Sequence, residues 1–301
     1  MVGGLQWAFN DTVGAAEEVN CSDSIPESTQ PEIEAEEETM RKVWIAVLIA
    51  LVLVLATAVS ALAITFGEPD GGRHPNVGAM IVLEPDGNYY LYCSGTLISP
   101  TVFLTAAHCT AAAAYYGAAP DDVFVTFDTE YTETSTLHPG TYDLNPNYGH
   151  DAHDANDVAV IVLDEPILDI PLATLPPAGL LDEMKAAHTL KGQQFVTVGY
   201  GALRNVKTRG PHSVAEAGTR WVANQTFLAL KPYWLQNSMN PSTGNGGTCY
   251  GDSGGPHFLG DSSMVVSVTV TGDRWCRATD VTYRLDTDSA RAYLEEFVDL
   301  P

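Results

Sequence analysis

An all-β fold, sandwich or barrel, is predicted for most of this chain by three observations. Short runs rich in Val, Ile, Leu, Thr and aromatic residues recur from residue 77 onward, turn residues separate them, and helical periodicity is nearly absent before the C-terminus. The first run, Val77 to Leu83, is followed by Pro85, Asp86 and Gly87, which mark a hairpin turn into a strand at Tyr89 to Tyr92. Further strands are expected at Thr96 to Ser99, Val102 to Thr105, Val123 to Phe127, Val158 to Leu163, Phe195 to Tyr200, Thr219 to Leu230 and Met264 to Val270. The last segment differs. Ala290, Tyr293, Leu294 and Phe297 recur at helical spacing behind Asp286 or Thr287 as N-cap, so an amphipathic helix closes the chain and packs on the β-structure. No repeat at a fixed period is present.

At 301 residues and 45% hydrophobic content the chain can bury a sizeable core. Its formal net charge of −24 is unevenly spread: residues 1–39 hold ten acidic side chains and no Lys or Arg, and the part from Ile64 onward carries −16. Such a surface repels nucleic acid and anionic membranes, so neither is expected as a partner. Five cysteines are present. Cys93 with Cys109 and Cys249 with Cys276 are plausible pairs, although four cysteines allow three connectivities, and Cys21 is left over. No spacing suggests structural zinc, and no cofactor is expected.

Three regions follow along the chain. Residues 1–39, acidic and rich in Ser, Pro and Thr, read as a disordered tail, and Met40 offers a start that leaves them untranslated. Residues 40–63 read as a signal peptide: Arg41 and Lys42, an apolar run from Val43 to Leu62, and the small-x-small site Ala61, Leu62, Ala63. The apolar run, 43–62, also has the length to span a bilayer if uncleaved, as a type II anchor. Residues 64–301 form the folded domain, expected to be secreted and monomeric.

The chemistry concentrates in two short motifs. In GDSGGP, Gly251 to Pro256, small residues let a tight turn push the Ser253 hydroxyl outward and leave the Gly251 N–H free to face an oxyanion. Serine alone is a poor nucleophile and requires a base whose tautomer a third group fixes. His108, in TAAHC, is the candidate base. Asp157, opening the apolar run DVAVIVL, is the candidate orienting carboxylate, because a carboxylate at the mouth of a buried strand needs a partner. Asp151 and Asp154 compete for that role but sit in the polar run HDAHDAN, which reads as an exposed loop. A cation site there, through His150, Asp151, His153 and Asp154, lacks the fuller oxygen set that hard cations take, so no metal is expected.

TAAHC, Asp157 before an apolar strand, and GDSGGP stand in the order and at the intervals of the chymotrypsin-like (trypsin-fold) serine peptidases, which the chain resembles from Ile64 to its end. The resemblance implies two six-stranded antiparallel barrels packed together with a C-terminal helix. His108 and Asp157 come from the first barrel and Ser253 from the second, with Gly251 and Ser253 N–H groups as the oxyanion hole. It implies an endopeptidase acting on protein or peptide substrates through an acyl-enzyme. Asp252 matches the residue that pairs with a new N-terminal amine, and Ile64 matches the mature start, so signal cleavage after Ala63 would itself activate. Gly247 matches the base of the primary pocket and brings no charge. Thr269 and Val281 match pocket-wall positions that are glycine in open-pocket members, implying small or medium apolar residues at the cleavage site. Ser267 matches the substrate-binding strand, with a hydrogen bond to Asp157.

Two other classes were set against this reading. A binding module on the same fold, secreted or membrane-tethered, would have lost part of the triad or the glycine-lined cradle. An α/β-hydrolase esterase would carry G-x-S-x-G and the order Ser, acid, His, the reverse of what stands here.

Overall fold

The computed structural model describes residues 39–48, 66–151, 153–204, 214–215 and 218–301. The chain divides into two units, 1–60 and 61–301. In the first, the described residues form an exposed helix, α1 (39–48). The acidic tail with Cys21, most of the apolar run and Ile64 lie outside the described residues. Among the described residues no helix is long and apolar enough to cross a membrane.

The second unit opens with β1 (Glu68–Pro69), then β2 (Val77–Leu83), β3 (Tyr89–Ser99), β4 (Val102–Thr105), α2 (Ala107–Tyr115), β5 (Val123–Thr126), β6 (His138–Tyr142) and β7 (Ala159–Leu163). These strands, β1 excepted, close into a six-stranded antiparallel barrel in the order β2-β3-β4-β7-β6-β5. There follow α3 (Leu180–Ala186), β8 (Gln194–Gly199), β9 (Leu203–Arg204), β10 (Val214–Ala215), β11 (Trp221–Leu230), β12 (Trp234–Ser238), β13 (Pro256–Leu259), β14 (Val265–Gly272), β15 (Thr279–Arg284) and α4 (Asp288–Leu294). Here β11-β12-β15-β14-β13-β8 form a second antiparallel barrel, closed by the β11–β8 pairing, and β1 adds to β11 as an extra edge. β9 and β10 make a separate two-stranded ribbon.

The strands of the first barrel read as continuous apolar runs because both of their faces are covered. Along β2, Val77, Ala79 and Ile81 point into a core shared with Val198, Val268 and Tyr283 of the second barrel, whereas Met80 and Val82 point into the first barrel's interior beside Phe103 and Ile161. The strand period of two thus assigns alternate residues to two different cores. The shared core also takes in Ala290, Tyr293 and Leu294, so α4 packs where the two barrels meet. Thr287 caps that helix, its hydroxyl accepting from the Ala290 N–H, and Phe297 falls beyond the last turn.

Most of the expected strands are present, and Tyr89–Tyr92 and Thr96–Ser99 are one strand, β3. The expectation of little helix before the end missed α2 and α3. It also missed β6, β12, β13 and β15. Their sequences, HPGTY, WLQNS, PHFL and TDVTYR, are polar or carry proline. The second barrel's interior accepts such residues: Gln225, Asn237, His257 and Asp280 are fully buried, with Gln225 Nε2 and His257 Nε2 both on Asp280 Oδ2, at 2.8 and 2.9 Å.

A buried ion pair ties the start of this unit to both barrels. Arg220, 2% exposed, reaches Asp70 Oδ2 at 3.0 Å through Nε, while its Nη1 donates to the carbonyls of Val77 and Phe127 and to the Tyr200 hydroxyl. Burial pushes the Asp70 carboxyl up, but hydrogen bonds from His74 and the Arg220 charge outweigh it and hold it down at about 2. Removing the guanidinium leaves this carboxylate buried with His74 alone and without its arginine. Arg220→Met is therefore expected to cost about 3–5 kcal/mol in urea unfolding, and a loss under about 1 kcal/mol would mean that the pair does not hold the segment.

Candidate active site

His108 lies in the first turn of α2, directly after β4, rather than on a strand end. Cys109 beside it is bonded to Cys93 of β3, which fixes the helix start to the barrel wall. Asp157, 2% exposed, precedes β7. Its Oδ2 lies 2.9 Å from His108 Nδ1 and its Oδ1 accepts from the His108 backbone N–H at 2.8 Å. A carboxylate only accepts, so Nδ1 carries the ring proton and Nε2 is left as the basic lone pair. Asn145, which the sequence did not flag, braces this carboxylate's backbone: its Nδ2 donates to the carbonyls of Asn156 and Val158, on either side of Asp157.

Ser253 stands in the turn between β12 and β13, half-buried. Two contacts press this turn against the His108 segment. The Ser94 N–H donates to the Ser253 carbonyl at 2.8 Å. Gly254, at φ +77°, sits so close to β4 that a Cβ there would overlap the Thr105 hydroxyl and fall 2.8 Å from the Ala106 nitrogen. Only glycine allows that approach. Among the described residues no hydrogen bond joins Ser253 Oγ to His108. Such bonds commonly tighten only when substrate is bound.

The turn also leaves two amides pointing outward. The Ala202 N–H holds the Tyr250 carbonyl at 2.6 Å, and the Gly255 N–H holds the Asp252 carbonyl at 2.9 Å. Because the peptide is trans, the N–H groups of Gly251 and Ser253 point the opposite way from those carbonyls, and neither donates to a described residue. The amides of Asp252, Gly254 and Gly255, in contrast, are all engaged. Gly251 reaches this arrangement at φ +96°. The arrangement can hold an oxyanion beside a serine.

Beside Ser253 is a cavity of about 150 Å³ lined by Thr248, Tyr250, Thr269, Val270, Gly272 and Arg274 among others, and closed off by the Cys249–Cys276 disulfide. Of the four expected pocket residues it contains only Thr269. Gly247 lies behind it against Met239, whose side chain fills the room that the glycine leaves. Val281 lies on β15, paired with Thr271 of the wall but not itself lining the space. Ser267 turns into the second barrel, where its hydroxyl accepts from Thr282 at 2.8 Å, and it makes no hydrogen bond to Asp157. A register shift between Thr269 and Thr271 sets which residues of β14 face the cavity. In the polar run, Asp154 is not exposed: its Oδ1 accepts from the Tyr283 hydroxyl at 2.7 Å. His108 also lies near the sulfurs of Cys93 and Cys109, but these are spent in their disulfide and cannot act as thiolate ligands.

Asp252 is fully buried under the turn. It accepts from the Gly201 N–H at 2.7 Å and the Cys249 N–H at 2.8 Å, and no cation among the described residues stands beside it. Burial pushes its carboxyl up to about 7, the two amides offsetting part of this and the nearby Asp280 adding to it. Since the folded value lies above the unfolded one, the native state binds more protons between about pH 4 and 7, and stability falls as pH rises through that window. Asp252→Asn in the unprocessed chain is expected to remove a slope that totals on the order of 4 kcal/mol. Parallel stability curves for the two proteins from pH 4 to 8 would show that Asp252 is not the titrating group.

The trypsin family model matches residues 69–290, well over half of the chain. Similar curated proteins include a trypsin of Saccharopolyspora erythraea, 27% identical over 69% of this chain and 88% of its own, and brachyurin of Leptuca pugilator, 29% identical over 65% and 85%. Human kallikrein-11 is 27% identical over 55% of this chain and 57% of its own. The solved structure of HL collagenase superposes with a TM-score of 0.56 at 18% identity, covering 76% of this chain and 96% of its own, a likeness of fold. The chain belongs to the trypsin family of serine peptidases.

Proposed function

We propose that this protein is a secreted serine endopeptidase in which Ser253, His108 and Asp157 act as nucleophile, base and orienting carboxylate. The observation that carries the reading is the paired contact of Asp157 with His108 Nδ1 and N–H, set beside a serine turn whose two outward amides have no partner among the described residues. Ser253 Oγ attacks the scissile carbonyl and gives its proton to His108 Nε2, while Gly251 and Ser253 N–H hold the oxyanion. His108 then protonates the leaving amine, and water, deprotonated in turn by His108, releases the acyl group. Asp157 stabilises the imidazolium formed in each half. A cavity of about 150 Å³ walled by Thr248, Thr269 and Val270 favours a small or medium apolar side chain before the scissile bond.

Ser253→Ala is expected to abolish hydrolysis of a peptide library and labelling by a fluorophosphonate, with unchanged thermal unfolding. Wild-type cleavage should concentrate after Ala, Val and similar residues. Undiminished turnover by the variant would remove Ser253 from the mechanism, and cleavage after Arg or bulky Phe would overturn the pocket assignment.

Activation follows from Asp252, a buried carboxylate with no cation beside it among the described residues. An N-terminal ammonium at Ile64, made by signal cleavage after Ala63, supplies the missing charge and ties the cradle in place. N-terminal sequencing of the secreted protein is expected to begin at Ile64, and a single extra residue ahead of it should lower kcat/KM at least about 10-fold. A fully active mature chain starting elsewhere would refute this.

A further inference from the structure

Ser94, in the middle of β3, is fully buried and uses every polar group it has. Its hydroxyl donates to the Gly251 carbonyl at 3.0 Å and accepts from the Tyr200 N–H at 2.9 Å. Its N–H donates to the Ser253 carbonyl at 2.8 Å, and its carbonyl accepts from the Thr105 hydroxyl at 2.9 Å. One residue of the first barrel thus meets both cradle residues, the end of β8 and the strand that leads to His108. Its chain neighbour Cys93 is bonded to Cys109, next to His108.

The hydroxyl contact has a mechanical meaning. Gly251 sits at φ +96°, where glycine has broad freedom, so its own dihedrals do little to hold the direction of its amide. Hydrogen bonds on the two flanking peptides fix it instead. The peptide before it is held by the Ala202 N–H on the Tyr250 carbonyl, and the peptide after it by the Asp252 N–H on the Cys249 carbonyl, within the turn, and by Ser94 Oγ on the Gly251 carbonyl, from the other barrel. Backbone contacts that any residue at position 94 could make would hold Ser253, but only a side-chain donor reaches the Gly251 carbonyl. Removing the hydroxyl also takes a hydrogen-bond partner from the buried Tyr200 N–H.

Resting on the peptidase reading above, we infer that Ser94 is a positioning residue for the oxyanion cradle: its hydroxyl, carried by the first barrel, sets the direction of the Gly251 N–H in the second. Because the oxyanion exists only in the transition state and the tetrahedral intermediate, the loss should fall on kcat rather than KM. For Ser94→Ala, kcat is expected to fall about 10-fold with KM within about two-fold. A peptide aldehyde, whose hemiacetal oxygen occupies the cradle, should bind more weakly by the same factor, while the matching peptide amide binds as before. Ser94→Cys, a weaker donor, should fall between wild type and alanine, and it serves as the test variant if Ser94→Ala does not fold. Thermal unfolding is measured on each.

Equal weakening of aldehyde and amide, or kcat within two-fold of wild type, overturns the inference. A wild-type chain that labels with a fluorophosphonate and turns over peptide while Ser94→Ala matches it sinks only the role of Ser94. A wild-type chain that does neither sinks the peptidase reading and this inference together.

Discussion

The approach of the Gly251–Gly255 turn to the end of β4 is the constraint on which the site depends. It places the segment carrying Ser253 within van der Waals contact of the residues just before His108, although the two are 145 positions apart in sequence. The contact is made of backbone and very short side chains: Gly254 against Thr105, Ala106 and the Ser94 carbonyl, and Ser94 N–H on the Ser253 carbonyl. Small residues at TAA and GG are therefore a steric requirement of bringing two barrels together, before any chemistry is asked of them. A Cβ at Gly254 would separate the two segments and with them His108 from Ser253.

Three buried carboxylates in this fold meet the cost of burial in three ways, and the difference tracks their roles. Asp70 is paired with a fully buried guanidinium and hydrogen-bonded by His74, and it stays charged down to about pH 2, as a fixed structural tie. Asp157 has both oxygens on one histidine, which couples its charge to a ring whose protonation changes during the proposed reaction. Asp252 has only two amides among the described residues, and its carboxyl rises to about 7. A group short of positive charge under the Ser253 turn suits the ammonium-dependent activation proposed above.

What the sequence made legible, and what it did not, follows from which interactions are local. The barrel strands β2, β4 and β7 were readable because both faces are apolar, and α4 because its cap and spacing are local. The strands β12, β13 and β15 were not, since His257 and Asp280 pair only once the second barrel closes, and the buried Asn237 of β12 reads as a polar surface residue until it does. The Ala-rich α2 lacks a side-chain cap and begins immediately after a strand, so no start signal marks it. His108, Asp157 and Ser253 stood out through their neighbours, whereas Asn145 and Ser94 sit in unremarkable stretches, and their roles exist only through residues 11 to 157 positions away. Pocket walls were the least legible. The register shift between Thr269 and Thr271 breaks the alternation of β14, and four successive residues, Thr269 to Gly272, line the cavity, which strict strand alternation does not foresee.

That shift bears on how selectivity can be altered in this scaffold. Met239 fills the room that Gly247 leaves and its sulfur meets the Thr248 hydroxyl, so a flexible thioether backs one of the residues that line the cavity. The methionine is itself 1% exposed and held by its N–H on the Ala278 carbonyl, just before β15. The lining at Thr248 is thereby supported by a side chain that lies outside both the Ser253 turn and the cavity lining. The proposed cradle and the cavity are tied through β14, since the Thr269 N–H donates to the Gly255 carbonyl and the Thr269 carbonyl accepts from the Gly254 N–H, whereas Met239 makes no hydrogen bond to Ser94, Ala202 or Gly255. A change at position 239 therefore reaches the cavity through Thr248, whereas a change in the backbone of Thr269 moves the proposed cradle as well.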